Sequence, residues 1–380
     1  RSPRDVPRTL SELAGKTDVL WLFPDATVLT REGQEAIFLF SQNSRVPVVA
    51  FAEKYLGTGA LAALAIDPVD LGRQAGRMAR RIMDGVGVES VPAEGPARPA
   101  LKLNGSVARN DGYELYQFIR PGKASCSYGL ISGKEMMLFD PSRNLEFYLG
   151  FAADKGCMIS KTFETHLQAD YIAGSRDIAK RTGAVFYAND GDFKTSKNPY
   201  TPLRDGEIHR FSLGGPTVRI LFTPGHTPGS TSYVIDERFL ISGDMVFINS
   251  VGRPDLGGKA EEWAGMLFDS IQMVKGLDRQ LMVLPAHYID WDEANEQLIF
   301  TRPLGEVFER NQEIYEIGTL AAFVDFIKAN MRPQPEEYAT IRLVNANLRE
   351  EDEDRQEELD LGKNECAASA YAKTQTARAG

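Results

Sequence analysis

The feature that most constrains this chain is a ligand-type side chain placed just after each of four apolar, strand-like runs. His166 lies in Thr165 to Tyr171 (THLQADY), behind a run ending in Ile159 and Phe163. His226 lies in Thr223 to Ser230 (TPGHTPGS), Asp244 in Ser242 to Phe247 (SGDMVF), and His287 closes Leu284 to His287 (LPAH). The chain has only four histidines, and three of them hold these equivalent places. A strand end fixes a Cα while the loop beyond it stays polar, which is how metal ligands are held to geometry. Gly225 and Gly229 flank His226 and Gly243 precedes Asp244, permitting close turns and backbone approach. Any one of these residues alone reads as a hydrogen-bonded core histidine or a turn aspartate. All four together read as a metal site, and His209, in a polar segment, is left out of it.

Composition bounds what such a site can serve. Net charge −10 and a pI near 5.2 argue against a nucleic-acid surface, which needs clustered Lys and Arg. Hydrophobic content of 43% with 25% charged residues is that of a soluble globular protein. No apolar run is long enough to span a bilayer and no secretory signal is evident. Cys126, Cys157 and Cys366 have no paired spacing; they read as buried or unreactive thiols and favour a reducing, cytoplasmic setting over a disulfide framework. The chain begins at Arg1 and not at Met, which leaves room for a leader or a preceding domain and leaves localisation open; the oligomeric state, a homo-oligomer included, is open too.

The length of 380 residues suggests two domains. In the first, residues 1–105, Asp18 to Pro24 and Val46 to Phe51 read as strands, Glu32 to Ser44 and Pro68 to Asp84 as helices, Gly59 to Leu64 as a short helix or turn, and Ala65 to Asp67 as a further strand. Gly57-Thr58-Gly59 is a plain turn, since a third glycine is missing. Pro92 to Pro99 is a linker by composition. From residue 111 to 366, successive strands at Tyr113 to Ile119, Ser127 to Ile131 and Met136 to Asp140 indicate an antiparallel sheet. A helix at Leu145 to Lys155 follows, then a helix-like segment at Ile172 to Thr182 and a strand at Val185 to Ala188. Phe211 to Leu213 and Val218 to Phe222 read as a pair turned at Gly214-Gly215, before strands at Ser232 to Ile235, Phe239 to Ile241 and Met282 to Leu284. Helices are expected at Glu261 to Lys275, Asp292 to Gln297 and Leu320 to Asn330. The acidic run Glu350 to Asp360 reads as solvated, and residues 367–380 as a disordered tail.

Two resemblances follow from longer stretches. LWLFPD (Leu20 to Asp25), VPVVAFAE (Val46 to Glu53) and DLGRQAGRMARRIMDG (Asp70 to Gly85) resemble the C-terminal part of ABC-transporter substrate-binding proteins, which implies one partial lobe of a two-lobed, periplasmic-binding-protein-like α/β fold. Residues 113 to 366 resemble the metallo-β-lactamase fold superfamily. Phe163 to Ala184, GHTPGS, GRPDL (Gly252 to Leu256) and LGKNECA (Leu361 to Ala367) carry a closer likeness to its persulfide dioxygenases, and a more distant one to glyoxalase II thioesterases. The implied architecture is α/β: an αββα sandwich preceded by the partial lobe.

The departure from the superfamily pattern shapes the functional expectation. Its first motif is His-x-His-x-Asp-His; here His166 and Asp170 stand, while Gln168 and Tyr171 replace two imidazoles. A neutral amide is a poor transition-metal ligand and a phenol is seldom ionised. A dinuclear zinc hydrolase is thereby disfavoured. His166, His226 and Asp244 remain, two imidazoles and a carboxylate, a facial set suited to one non-haem Fe(II), with zinc as the alternative. The resemblance implies that these three are the iron ligands and that a glutathione persulfide-type thiol is oxidised by O₂ to sulfite. Asp170, His287, Gln168 and Tyr171 are then expected around the ligands. Arg253 matches the arginine that binds substrate in that family, with an ion pair to Asp255 as its alternative. A zinc-dependent thioester hydrolase and a non-catalytic metal-binding sensor module are the competing readings.

Overall fold

The strand Thr231–Ile235 shows why the second half of the chain folds in layers. Successive side chains of a strand leave opposite faces. Val234 joins a cluster with Leu267 and Ile271 of helix Ala260–Lys275 and Phe323 of helix Leu320–Asn330. The Tyr233 ring points the other way, to Phe139 and Phe163 at centroid distances of 5.1 and 5.4 Å. Those two residues belong to another sheet, in which Met136 and Leu138 pack against Tyr148, Ala152 and Ile178 of helices Leu145–Asp154 and Ser175–Thr182. Helix, sheet, sheet, helix is the result, the expected αββα arrangement of the metallo-β-lactamase fold.

The computed structural model divides the chain into two units, residues 1–105 and 106–380. It describes residues 6–13, 15–23, 29–44, 46–51, 55, 62–66, 99–103, 105–110, 112–120, 123–255, 258–331, 333–360 and 366–367. In the first unit, β1 (Leu20–Trp21), β2 (Val48–Ala50), β3 (Ala62–Ile66) and β4 (Pro99–Leu103) lie in that order, parallel except for the antiparallel β3-β4 pair. Val6, Leu10, Leu22, Ile37 and Val48 form its core. The strand expected over Asp18 to Pro24 is reduced to β1. The short helix or turn expected over Gly59 to Leu64 gives way to β3 from Ala62 on, because pairing to β2 on one side and β4 on the other outweighs the helix propensity of Ala and Leu. The expected helix at residues 68–84, the turn at 57–59 and the linker at 92–98 lie outside the described residues.

In the second unit one sheet holds β5 (Gly105–Asn110), β6 (Tyr113–Arg120), β7 (Ser125–Ser132), β8 (Glu135–Phe139), β9 (Met158–Phe163), β10 (Val185–Ala188) and β11 (Thr201–Pro202), neighbours in sequence order. The run β6-β7-β8 is antiparallel, as expected, and β8-β9-β10-β11 is parallel. The other sheet holds β12 (Ile208–His209), β13 (Val218–Phe222), β14 (Thr231–Ile235), β15 (Phe239–Gly243), β16 (Met282–Pro285) and β17 (Arg302–Pro303), with only β15-β16 parallel.

Four local expectations are corrected here. The partner of β13 on its outer side is Ile208–His209, not Phe211 to Leu213. Phe211 is buried and Leu213 is 90% exposed, so that segment turns instead of pairing, with Gly214 and Gly215 at φ 84° and 120°. The helix expected over Asp292 to Gln297 is a single 3₁₀ turn, Trp291–Glu293, closed by a capping box between Asp290 and Glu293. The acidic run is not wholly solvated: Glu353–Leu359 is helical and Asp360 is buried, accepting from Arg120 Nη2 (2.7 Å), Arg143 Nε (3.0 Å) and the Ile172 N–H (2.9 Å). Ala367, where the tail was expected to begin, pairs with Gly252, and residues 368–380 lie outside the described residues.

Candidate metal centre

Four strands deliver the site residues. β9, β13, β15 and β16 end at Phe163, Phe222, Gly243 and Pro285, and His166, His226, Asp244 and His287 follow in the adjoining loops. The two sheets are tied together there by the Thr231 N–H donating to the Thr165 carbonyl at 2.8 Å and by the Tyr233 hydroxyl donating to the Glu164 carbonyl at 2.6 Å. The loop of His226 lies against helix Ala260–Lys275 so closely that a Cβ on Gly225 (φ 145°) would stand 2.3 Å from the Leu267 Cα. Glycine is required at that position.

Each imidazole is oriented through Nδ1. His226 Nδ1 lies 2.8 Å from the Arg253 carbonyl, which can only accept, so this nitrogen carries the proton. His166 Nδ1 lies 2.9 Å from Thr165 Oγ1, whose hydroxyl donates to Asp140 Oδ2 at 2.8 Å and is therefore free to accept from the ring. The Nε2 atoms of both rings are thus turned inward as lone-pair donors. They lie 3.8 Å (His166) and 3.4 Å (His226) from Asp244 Oδ2. All three atoms are buried and none has a hydrogen-bond partner. Burial pushes His166 down to about 3, so its ring is neutral at physiological pH.

Two imidazole nitrogens and a carboxylate oxygen, buried, unpartnered and within 4.8 Å of one another, are a fitting donor set for a transition metal ion. Burying three such atoms without a cation would forfeit their hydration for nothing.

The residues expected around the ligands separate into distinct roles. His287 Nδ1 is 2.7 Å from Asp244 Oδ1, and its Nε2 is 2.9 Å from Asp170 Oδ2. Burial opposes its protonation, yet Asp244 and Asp170 outweigh it and raise His287 to about 10. Burial likewise works against ionised Asp244 and Asp170, but His287 holds both below the usual carboxylate range. The Tyr171 hydroxyl donates to the Asp140 carbonyl at 3.2 Å, and its ring centroid lies 6.3 Å from that of His287. Gln168 has its side chain on a small cavity shared with Glu164, Ser175 and Asn198. Neither residue is among the three converging ligands.

Arg253 is buried with its Nε and Nη2 each 2.6 Å from the Asp255 carboxylate, so the ion pair named as the alternative is present. Its contact with the site is the carbonyl that orients His226. His209, as expected, is a core residue, its ring 4.5 Å from Tyr187 and 5.1 Å from Phe163.

One neighbour was missed in the sequence. Cys366 is buried with its sulfur grouped with Asp170 and His287, all three ligand atoms within 4.8 Å of one another. Its backbone is held there by the Arg253 N–H donating to the Cys366 carbonyl at 2.8 Å. Burial, then Asp170 and Asp244, push the thiol well above its usual value, so it stays protonated. The signal was the LGKNECA element, but nothing local says that a residue so far along the chain returns to the site.

Comparisons with known proteins match the two ends of the chain to different families. Residues 1–117 match the family described as ABC transporter substrate binding protein, and residues 121–288 match the Metallo-beta-lactamase superfamily. A probable metallo-hydrolase of Bacillus subtilis is 27% identical over 190 residues, 45% of this chain and 88% of its own. A hydroxyacylglutathione hydrolase of Acidiphilium cryptum is 33% identical over 123 residues, 32% of this chain and 48% of its own, so the chain spans about half the length of that relative. A solved metallo-beta-lactamase from Staphylococcus aureus superposes with TM-score 0.57 at 28% identity, covering 63% of this chain and 74% of that one.

Proposed function

Because residues 121–288 form a metallo-beta-lactamase superfamily domain, we propose that His166, His226 and Asp244 hold one Fe(II) and that the chain oxidises a glutathione persulfide-type thiol with O₂. Overall, persulfide, O₂ and water give thiol, sulfite and two protons. Iron bound at the triad supplies the redox chemistry that activates O₂ beside the sulfur. The observation that carries this reading is the set of three buried, unpartnered atoms, His166 Nε2, His226 Nε2 and Asp244 Oδ2, with the Tyr171 hydroxyl bonded to the Asp140 carbonyl and Gln168 lining a separate cavity.

The chain's own groups have defined tasks in this reading. The Thr165 hydroxyl and the Arg253 carbonyl keep the ring protons on Nδ1 and both Nε2 lone pairs available. His287, charged between Asp244 and Asp170, holds Asp244 ionised, with Oδ2 directed at the two rings. The Arg253 guanidinium is committed to Asp255, so it supports the loop around His226 and is not assigned to a substrate carboxylate.

Metal analysis of anaerobically purified protein, paired with an oxygen-electrode trace on glutathione persulfide, tests the proposal. One iron per chain and O₂ uptake are expected. Stoichiometric zinc without iron, and no O₂ uptake, would overturn it.

A second reading, zinc-dependent thioester hydrolysis, is favoured by the 33% identity to a hydroxyacylglutathione hydrolase and by the affinity of His and Asp for zinc. Hydrolysis of S-lactoylglutathione that is lost on chelation and restored by zinc would select it.

A further inference from the structure

The residues that follow the two histidines of the triad meet on one carboxylate. Asp192 lies in the short helix Asp190–Phe193, which follows β10, and is partly buried. Its Oδ2 accepts from the Leu167 N–H at 2.9 Å and from the Thr227 hydroxyl at 2.7 Å, and its Oδ1 accepts from the Gly229 N–H at 2.7 Å. Leu167 is the residue after His166, and Thr227 is the residue after His226. The two histidines come from different sheets, through the loops beyond β9 and β13. Asp192 joins those loops directly.

The turn that carries Asp192 is shaped for this contact. A Cβ on Gly229 would stand 2.5 Å from the Asp192 backbone nitrogen, and one on Gly191 would stand 2.7 Å from the Pro228 carbonyl oxygen. Glycine at both positions lets the two backbones lie this close. Asn189 fixes the turn, its Oδ1 accepting from the Gly191 N–H at 2.9 Å and its Nδ2 donating to Thr231 Oγ1 at 3.1 Å. Hydrogen bonds to a carboxylate are shorter and stronger than neutral ones, so three of them on Asp192 make a firm tie. The histidine rings stand 4.9 Å apart between centroids, at 87° to one another. A metal site tolerates ligand displacements of only about 0.5 Å, so the tie acts on the geometry that the ion meets.

We propose that Asp192 is a positioning residue that sets the spacing of His166 Nε2 and His226 Nε2, by holding the residue after each histidine on one carboxylate. The proposal rests on the reading that these two nitrogens and Asp244 Oδ2 hold a metal ion, and not on which ion it is.

The test is Co(II) binding by the full chain, read by chelator competition and by the d–d absorption of the bound ion, which reports ligand geometry. The wild-type chain should take up one Co(II), and His226→Ala should lose it. Asp192→Ala should weaken Co(II) binding about tenfold or more and shift the absorption bands at saturating metal. Thr227→Val, which removes the hydroxyl that reaches Asp192 Oδ2, should act in the same direction with a smaller effect. Asp190→Ala, on the same turn but bonded to the Tyr200 hydroxyl, should leave affinity and bands unchanged. Should Asp192→Ala fail to fold, Asp192→Asn, which keeps the shape with one acceptor oxygen fewer, and Thr227→Val decide. A lowered Tm with unchanged Co(II) affinity and unchanged bands in these variants would reduce Asp192 to a structural residue and overturn the proposal. No Co(II) uptake by the wild-type chain, or uptake that survives in His226→Ala, would instead overturn the triad reading on which it stands.

Discussion

His287 Nδ1 donates to Asp244 Oδ1 across 2.7 Å, so the fourth strand end acts on the metal site through the third. Asp244 is left with one oxygen directed at the two imidazoles, and its charge is balanced from behind. His287→Ala should weaken metal binding about 10- to 100-fold, the usual cost of losing a ligand's orienting partner, while saturating metal still loads one ion per chain. His226→Ala, by contrast, should abolish loading. Competition against a graded chelator series distinguishes the two outcomes.

Thr165 stands between Asp140 and His166 and sets the tautomer of the ring. Thr165→Val keeps the shape and removes the hydroxyl, leaving His166 Nδ1 without its acceptor and Asp140 without one of its donors. Metal affinity should fall about tenfold, with a loss of about 1–3 kcal/mol in stability. Thr165→Ser should recover most of both, as read by chelator competition and chemical denaturation.

Gly225→Ala is expected to disturb the loop of His226 although it alters no ligand. The added Cβ would meet the backbone of Leu267, and the φ of 145° is itself unfavourable for alanine. A destabilisation of about 2 kcal/mol or more should accompany reduced metal loading. Unchanged Tm and unchanged metal content would show that the loop and helix separate freely.

The acidic C-terminal run is unequal in its contributions. Asp360→Ala removes the acceptor shared by Arg120, Arg143 and the Ile172 N–H and should cost about 2 kcal/mol. Asp354→Ala, on the exposed side of the same helix, should stay within about 0.5 kcal/mol. Equal effects in urea denaturation would contradict the buried placement of Asp360.

Glu293 supplies a pH dependence with a definite sign. Burial lifts its carboxyl from 4.5 to about 7, against the lowering effect of the Ile289 and Asp290 N–H groups. Between those values the folded chain keeps a proton that the unfolded chain releases, so this contribution is full below about 4.5 and is lost as pH rises through about 7. Glu293→Gln should flatten that part of the stability profile, measured by denaturation at about pH 5 and about pH 8.

The central strands of the second unit were legible as apolar runs, because both sides of such a strand are covered, as those of Val234 and Tyr233 are, whereas β5, β11, β12 and β17 were not read as strands. The weaker expectations failed where local propensity competes with long-range pairing. Ala62–Ile66 becomes a strand only because β2 and β4 lie on either side of it. Phe211 to Leu213 has strand composition, but Ile208–His209 takes the edge.

By itself, the amino-acid sequence determined which side chains are candidates for the metal and that each follows a strand, since a strand end and a ligand-type residue are both local facts. Gln168 and Tyr171, where the resemblance implies imidazoles, are likewise read directly from the sequence. Only the tertiary structure decided that Nε2 of His166 and of His226 meet Asp244 Oδ2, that Arg253 is paired with Asp255, and that Cys366 and Asp360 return to the neighbourhood of the first motif. The physical reason is separation along the chain. Asp360 and Arg120 are 240 residues apart, and their meeting is set by how sheets and helices pack, which no local periodicity encodes.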